Sequence, residues 1–212
     1  MRRKPLDEGP IEFDLESLRR RFASPDPAPD TIYGDEGARP GRESLTPASV
    51  LIPIVARDPA GDAGLTVIFT RRAAHLKDHS GQVSFPGGRA AAGDPSPEAT
   101  ALRESREEIG LDGARVELLG RLADYHTRTG YRITPVVGVV APPFELRPDA
   151  NEVDEIFEVP LAYLLDPANR QRQSREWQGE LRWFFSIQYG RHTIWGATAG
   201  MLVNLARHLS HG

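Results

Sequence analysis

Apolar positions along the chain change their spacing near residue 46. Before that point they recur at helical spacing, at Ile11, Leu15, Leu18 and Phe22. Asp14 is suited to cap the amino end of the short amphipathic helix that this pattern predicts. Proline, glycine and charged residues then dominate as far as Pro47, as in a linker or an arm laid over a domain. The sequence therefore predicts an N-terminal extension over residues 1–46, with a short helix and a Pro/Gly-rich linker, and a folded domain over residues 47–209.

Short apolar runs beyond residue 47 predict β-strands. They cover residues 50–55, 65–69, 83–85, 116–122, 133–140, 181–187 and 192–195. A strong helix is predicted over Pro97–Ile109, because Ser96 suits its cap and Gly110 suits its end. Weaker helical patterns cover residues 161–165 and the stretch from Ala197. Strands and helices do not alternate regularly, so we expect an α+β fold, an α/β/α sandwich with a mixed β-sheet between helices.

Composition narrows the class of protein. The chain has 212 residues, a net charge of -4 and no cysteine, which argues against nucleic-acid wrapping and excludes thiolate catalysis and disulfides. No apolar run reaches the length of a membrane helix. The basic start, Arg2–Lys4, is not followed by the apolar stretch of a secretory signal. We expect a cytoplasmic protein that binds a small molecule, with neither nucleic acid nor membrane as its partner.

Three glutamates share one face of the predicted helix. Glu104, Glu107 and Glu108 stand at positions i, i+3 and i+4, a spacing that brings their side chains together. Like charges so placed destabilise a bare helix, and a hard divalent cation with oxygen ligands offsets that repulsion. Arg103, four residues before Glu107, is placed to hold one carboxylate in position. A solvated acidic helix face is the alternative interpretation.

A glycine pair favours the metal interpretation. Gly87 and Gly88 follow a predicted strand, and their lack of side chains lets the backbone approach a ligand closely. The predicted helix also has a small and apolar side that fixes its orientation. A loop and a helix of this kind are suited to bind metal ions that contact phosphate oxygens.

The same segment resembles the Nudix box. The matching residues are Gly88, Arg103, Glu104, Glu107, Glu108, Gly110 and Leu111. The segment departs from the family pattern where Asp94 replaces a glutamate, where the spacing from Asp94 to Arg103 is one residue longer, and where Ser105 replaces an apolar residue. The residues that define the helix are intact. The resemblance therefore implies the Nudix fold and an active, metal-dependent Nudix hydrolase.

A second stretch resembles the signature of coenzyme A pyrophosphatases within that family. It comprises Ile68–Ala73, Lys77, Gly81 and Phe85–Gly88. Lys77 stands where the signature has arginine, which keeps the charge but loses the bidentate fork. The resemblance implies hydrolysis of the diphosphate of coenzyme A or acyl-CoA to 3′,5′-ADP and 4′-phosphopantetheine or its acyl form, with Mg²⁺ or Mn²⁺ as cofactor.

The resemblance also implies roles for individual side chains. Glu104, Glu107 and Glu108 would be the metal ligands, and Arg103 would orient them. The general base would be a glutamate of the box or one from a later loop. Glu152 and Glu155 are the candidates there, because residues 151–155 follow a proline-rich loop that is placed to swing over the site. A solvated loop is the alternative.

Substrate binding is assigned to the glycine pair, Gly87 and Gly88, and to three cations. Arg71, Arg72 and Lys77 are suited to bind the adenosine 3′-phosphate, since charge-assisted hydrogen bonds are the stronger kind. A solvated strand end, or a salt bridge to Asp78 or Asp94, is the alternative.

Several points stay open from the sequence. The same chemistry on another nucleoside diphosphate derivative, such as ADP-ribose or NADH, is one alternative function. A non-catalytic nucleotide-binding Nudix module is another. The chain could act as a monomer or as a homodimer. Trp177, Trp183 and Trp195 are expected in the core rather than at an adenine site.

Overall fold

The computed structural model describes residues 14–23, 31–35, 45–56, 64–76, 79–177 and 179–210. Ile11, Lys77 and Asp78 lie outside these described residues. The helices are α1 (Leu15–Phe22), α2 (Pro97–Ile109), α3 (Leu161–Leu165) and α4 (Ala197–Ser210). Within the described ranges, none of the helices is both long and apolar enough to cross a membrane.

The strands follow in chain order. They are β1 (Thr46–Ala56), β2 (Leu65–Arg72), β3 (Val83–Ser84), β4 (Gly87–Arg89), β5 (Val116–Arg121), β6 (Tyr125–His126), β7 (Tyr131–Val140), β8 (Val153–Pro160), β9 (Arg170–Trp177), β10 (Glu180–Tyr189) and β11 (His192–Trp195). Short 3₁₀ turns lie at Gly113–Arg115 and Pro167–Asn169.

A mixed eight-stranded sheet forms the centre of the domain. Its main path runs β3-β2-β1-β7-β5, with β4 beside β1, β6 beside β7 and β8 beside β2. β1 and β7 are parallel, from Thr46 opposite Tyr131 to Val55 opposite Val140, and the other pairs are antiparallel. A separate antiparallel sheet has the order β11-β10-β9.

Apolar side chains cover both faces of the central sheet. In β1, Ile52 and Ile54 belong to one buried cluster, whereas Leu51 and Val55 belong to the other, as the alternation of side chains along a strand requires. The first cluster includes buried residues of α1, α3 and α4, and the second includes those of α2. Helices therefore lie on both faces of a mixed sheet, and the predicted α+β sandwich is confirmed.

The helix α1 packs onto this domain. The Asp14 side chain accepts a hydrogen bond from the Ser17 N–H at 2.6 Å, so the predicted cap is present. Leu18 is fully buried in the first apolar cluster. Arg19 forms an ion pair with Glu117 of β5, with Nη2 and Oε2 2.6 Å apart. The part of the extension that the structure describes here is therefore docked, and the domain boundary near residue 46 stays a prediction.

Two strands depart from the sequence-based expectation. Asn151 and Glu152 lie in a turn, whereas β8 begins at Val153 and pairs Glu155 in register with Arg71 of β2, so Glu155 does not lie in a loop. Charged residues interrupt the apolar pattern of β8, and Glu155 among them pairs with Arg71 on β2 and with Arg191 just before β11. β9 is polar almost throughout, so hydrophobic periodicity gave no signal for it.

Candidate active site

β4 and α2 bring the glycine pair and the carboxylate helix together. Gly87 and Gly88 pair with β1 in the central sheet. α2 begins and ends where the sequence predicts: Ser96 Oγ accepts a hydrogen bond from the Ala99 N–H at 3.2 Å. Gly110 ends the helix in the left-handed conformation, with φ of 70°. Pairing with β1 positions β4, and the helix signals at Ser96 and Gly110 set where α2 begins and ends.

The glycine pair contacts two of the glutamates directly. The Gly87 N–H donates to Glu108 Oε2 at 3.1 Å. A Cβ atom added at Gly88 would lie 2.5 Å from Glu104 Oε2, well inside the van der Waals contact distance. Any side chain at Gly88 would therefore displace the Glu104 carboxylate, and the two glycines belong to the same site as the glutamates.

Arg103 is the central cation of the site. Its Nε and Nη2 atoms donate to the two oxygens of Asp94 at 3.0 and 2.9 Å. Its Nη1 atom donates to Glu104 Oε1 at 2.8 Å and to Glu107 Oε2 at 2.9 Å. Nη2 also donates to the Arg89 carbonyl oxygen at 3.0 Å. Arg103 thus holds carboxylates in place, as the sequence predicts.

Asp94 anchors this arginine, a role that the sequence did not reveal. The hydrogen bonds from Arg103 are the main reason why the pKa of the Asp94 carboxyl lies well below its usual range, and the Ala91 N–H and the Thr100 hydroxyl lower it further. An acidic residue shortly before the helix was the available signal. The sequence showed it only as a departure from the Nudix pattern.

The carboxylates of Glu104 and Glu152 lie near that of Glu108. The pKa of Glu108 is raised to about 7, mainly by burial; the nearby Glu152 and Glu104 carboxylates act in the same direction, and the Gly87 N–H and Arg72 act against it. Burial also raises the pKa of Glu104, and Glu152 acts in the same direction. Negative charge is therefore unfavourable at this point unless a cation joins the carboxylates.

This donor set fits a hard divalent cation. Carboxylate oxygens are the ligands that Mg²⁺ and Mn²⁺ prefer, and a cation would relieve the crowding around Glu108. The described residues do not form a ready-made group of three His, Asp or Glu ligands. Glu107 turns to Arg103, and its side chain is 59% exposed. Glu104 and Glu108 are therefore the better-placed candidate donors, and Glu107 would have to leave Arg103 to act as a third.

The two arginines of β2 have different partners. Arg71 Nε donates to Glu155 Oε2 at 3.1 Å, and Arg71 Nη1 lies 3.7 Å from Asp154 Oδ2. Arg72 is directed at the carboxylate site, where its Nη1 atom is 3.9 Å from Glu108 Oε1. The buried Nε atom of Arg72 has no hydrogen-bond partner among the described residues. The structure therefore brings Arg72 to the site and engages Arg71 and Glu155 with each other.

Two further expectations have a clear outcome. Ser105 is fully buried, and its hydroxyl donates to the Ala101 carbonyl oxygen at 2.7 Å, so α2 itself satisfies the polar group that replaces an apolar residue. The expectation of core tryptophans is wrong for Trp183 and Trp195, which are 39% and 38% exposed. They belong to the smaller sheet, whose outer part extends beyond the core. The Trp177 side chain lies outside the described part of the chain.

Comparison with known proteins identifies the family. A NUDIX domain model matches residues 46–183. The uncharacterized Nudix hydrolase NudL of Photorhabdus laumondii is 38% identical over 162 residues, which cover 76% of this chain and 84% of that protein. The protein of the same name from Escherichia coli K12 is 39% identical over 175 residues, which cover 78% of this chain and 84% of that protein.

Solved structures with a similar fold include two Nudix proteins. The Nudix hydrolase RenU from M. smegmatis is 21% identical with a TM-score of 0.45, and the alignment covers 55% of this chain and 71% of that chain. A MutT/nudix family protein from Enterococcus faecalis is 15% identical with a TM-score of 0.48, covering 81% of this chain and 64% of that chain.

The matched domain spans more than half of the chain and contains the glycine pair, Arg103 and the crowded carboxylates. Nudix hydrolases are pyrophosphohydrolases that act on nucleoside diphosphate derivatives, and they generally use divalent metal ions such as Mg²⁺ or Mn²⁺. On the domain match and the identity to its relatives, the chain belongs to the Nudix hydrolase family.

Proposed function

We propose that this Nudix hydrolase cleaves the diphosphate of coenzyme A or acyl-CoA, with Mg²⁺ or Mn²⁺, to 3′,5′-ADP and 4′-phosphopantetheine or its acyl form. The observation that carries the proposal is the position of Arg72. It belongs to the segment that resembles the coenzyme A pyrophosphatase signature, and its guanidinium lies 3.9 Å from Glu108 in the carboxylate site. A cation next to the carboxylates is suited to bind a phosphate of the same substrate.

The carboxylates would hold the metal against the diphosphate. A bound divalent ion neutralises phosphoryl oxygens and lowers the pKa of a water molecule. Glu104 and Glu108 would be its first ligands, with Glu107 as a third. Arg103 keeps Glu104 in place through a hydrogen bond of 2.8 Å, and Gly88 leaves room for the Glu104 carboxylate.

Glu152 is the better of the two later candidates for the general base. Its carboxylate is close enough to raise the pKa of both Glu104 and Glu108. Glu155 is held by Arg71 at 3.1 Å and by Arg191 at 2.5 Å, so its lone pairs are already engaged. Glu152 would accept the proton of the attacking water.

Arg72 would recognise the adenosine 3′-phosphate, which distinguishes coenzyme A from ADP-ribose and NADH. Arg71 is less suited because Glu155 and Asp154 already neutralise it. Lys77 would add a second cation. Hydrolysis of another nucleoside diphosphate derivative is the alternative function, and a non-catalytic nucleotide-binding module is the remaining one.

Incubation of the purified protein with coenzyme A and Mg²⁺ or Mn²⁺, followed by mass analysis of the products, tests the reaction. We expect 3′,5′-ADP and 4′-phosphopantetheine. The variant Arg72→Ala should raise the KM for coenzyme A roughly 10- to 100-fold, the value of one charged hydrogen bond or two, and change the KM for dephospho-coenzyme A much less. Arg71→Ala is the matched control, with a small effect on both substrates.

Equal effects of Arg72→Ala on the two substrates would remove the 3′-phosphate role. Cleavage of ADP-ribose or NADH in preference to coenzyme A would establish the alternative function instead. The variant Glu108→Gln should lower turnover by roughly 100-fold or more while the folded structure persists. Full turnover of Glu108→Gln at saturating Mg²⁺ would exclude the carboxylate site as the catalytic centre.

A further inference from the structure

The smaller sheet has an uncovered edge. β10 and β11 pack against α4, and β11 also contacts β3, whereas β9 packs mainly against β10. Within the residues that the structure describes, no strand pairs with β9 on the side away from β10. An edge of eight residues is a template for pairing with another strand, and proteins usually shorten such edges, cover them or place charges on them.

The hairpin fixes which backbone groups of β9 face outward. Trp177 pairs with Glu180 across a two-residue connection, and in such a hairpin the closing pair is hydrogen-bonded. Because the direction of the backbone groups alternates along a strand, the N–H and C=O groups of Arg172, Ser174 and Glu176 point away from β10. These groups can form a ladder with another antiparallel strand.

We propose that β9 pairs with β9 of a second copy of this chain, in a two-fold symmetric antiparallel ladder centred on Ser174. In this register Ser174 lies opposite Ser174 of the partner subunit, so the smallest side chain of the strand is on the axis. Arg172 lies opposite Glu176 of the partner subunit, and symmetry forms this ion pair twice. The charges of β9 thus complement those of a second β9 in this register, which is why we infer a second copy of the chain as the partner.

Neighbouring registers are less favourable. An axis through Arg172, Arg175 or Glu176 would place two like charges opposite each other, which destabilises a sheet. An axis through Gln173 would require Arg170 to reach Glu176 of the partner subunit. The Nη2 atom of Arg170 already donates to the Leu165 carbonyl oxygen, so Arg170 is held on its own subunit.

Apolar side chains beside the edge favour the same pairing. Leu181 and Trp183 are 58% and 39% exposed, and they lie opposite Glu176 and Ser174 in the register of β9 and β10. Each therefore shares a row of the sheet with a residue of the proposed ladder. Extension of the sheet across the axis would cover the outward side of these rows, where the Arg172 guanidinium already lies 4.9 Å from the centroid of the Trp183 ring.

Light scattering and sedimentation over about 1 to 200 µM protein test the proposal on the full chain. We expect a concentration-dependent species of twice the 23.4 kDa chain mass. Arg172→Glu and Glu176→Arg should each raise the dimer dissociation constant about 10-fold or more, since two attractions become two repulsions. The double variant should regain the wild-type dissociation constant.

Mixing the two single variants gives the sharpest test of the register. Arg172→Glu on one subunit faces Glu176→Arg on the other, so both ion pairs are restored only in the mixed dimer. Residues 172 and 176 are four apart on one strand, about 13 Å, so they cannot pair within a subunit. Recovery of dimer on mixing is therefore specific for the ladder centred on Ser174.

A proline substitution tests the backbone hydrogen bonds of the proposed ladder. Ser174→Pro removes an outward N–H without breaking the bonds to β10, and it should abolish the dimer. Ser174→Thr keeps the N–H and should leave dimerisation intact. Circular dichroism confirms that each variant is folded. A wild-type chain that is monomeric throughout, a dimer that these variants leave unchanged, or a mixture of single variants that stays monomeric would each overturn the proposal.

Discussion

Gly87 and Gly88 are adjacent, but a side chain at each would collide with a different part of the molecule. A Cβ atom at Gly87 would lie 2.4 Å from the Ser49 carbonyl oxygen and 2.6 Å from Val50 Cα, which are backbone atoms of the central sheet. A Cβ atom at Gly88 would meet only the end of the Glu104 side chain. A backbone strand cannot move aside cheaply, whereas a carboxylate can rotate away. We therefore expect a side chain at Gly87 to reduce the stability of the fold and a side chain at Gly88 to reduce activity.

We expect Gly88→Ala to lower kcat/KM by roughly tenfold or more, because the displaced Glu104 leaves the metal site, while the free energy of unfolding changes by less than about 1 kcal/mol. Gly87→Ala, the matched control, should destabilise the fold by about 3 kcal/mol or more. Urea unfolding and steady-state kinetics on both variants measure the two effects. Equal loss of stability in the two variants would contradict this division of roles.

At the scale of elements, α2 is tied to the sheet at its amino end as well as at its catalytic face. Arg121 of β5 forms an ion pair with Glu98 in the first turn of α2. The hydrogen bond from Arg121 lowers the pKa of the Glu98 carboxyl to about 2, from an ordinary value of 4.5. The position of a carboxylate near a helix amino terminus is also favourable.

This pair predicts an acid-sensitive contribution to stability. A carboxyl whose pKa is lower in the folded state stabilises the fold above its unfolded pKa of 4.5 and loses this effect as the pH falls towards 2. Because the pair is partly exposed, its contribution should be about 1 kcal/mol at pH 7. The difference in melting temperature between wild type and Glu98→Gln should shrink between pH 5 and pH 2.5. A difference that stays constant over this range would contradict the assignment.

The elements also show how far the sequence predicts the fold. α2 and α3 have the predicted bounds, and α2 does so because Ser96, Pro97 and Gly110 carry strong local signals. β8 and β9 were missed for a different reason. Their polar residues are stabilised by partners distant in the sequence, such as Arg71 for Glu155, and local periodicity does not reveal such partners.

The candidate site shows the same limit. The spacing of Glu104 and Glu108 predicts that they share a helix face, and the structure places both against β4. The sequence could not distinguish Arg71 from Arg72, which are neighbours on a strand and therefore point to opposite sides. Only the pairing of β2 with β8 shows that Arg71 meets Glu155. The roles of Glu152 and Lys77 stay predictions.

At the scale of the whole molecule, α4 joins parts that lie far apart in the sequence. Most of its residues are buried on all sides, as expected for a helix that is enclosed by other elements. It packs against α1, α3, β10 and β11. Through Asn204 it also holds the segment 31–35, which crosses the domain between α1 and β1.

Asn204 binds this segment as a neighbouring strand would. Its Oδ1 atom accepts from the Ile32 N–H at 2.8 Å, and its Nδ2 atom donates to the Ile32 carbonyl oxygen at 2.7 Å. Asn204 is almost fully buried. Asn204→Leu should therefore leave both backbone groups of Ile32 unpaired and reduce the free energy of unfolding by about 2 to 4 kcal/mol.

Hydrogen exchange distinguishes loss of this link from general loosening. In Asn204→Leu, the Ile32 amide should exchange much faster, because its partner on α4 is gone, while the amides of β1 and β7 should stay protected. Ser210→Ala, which removes only a hydroxyl contact at the exposed end of α4, should leave the exchange of residues 31–35 unchanged. Protection of the Ile32 amide in Asn204→Leu equal to that of wild type would mean that Asn204 does not hold this segment, and that the hydrogen bonds of Tyr33 and Asp35 with His126 hold it instead.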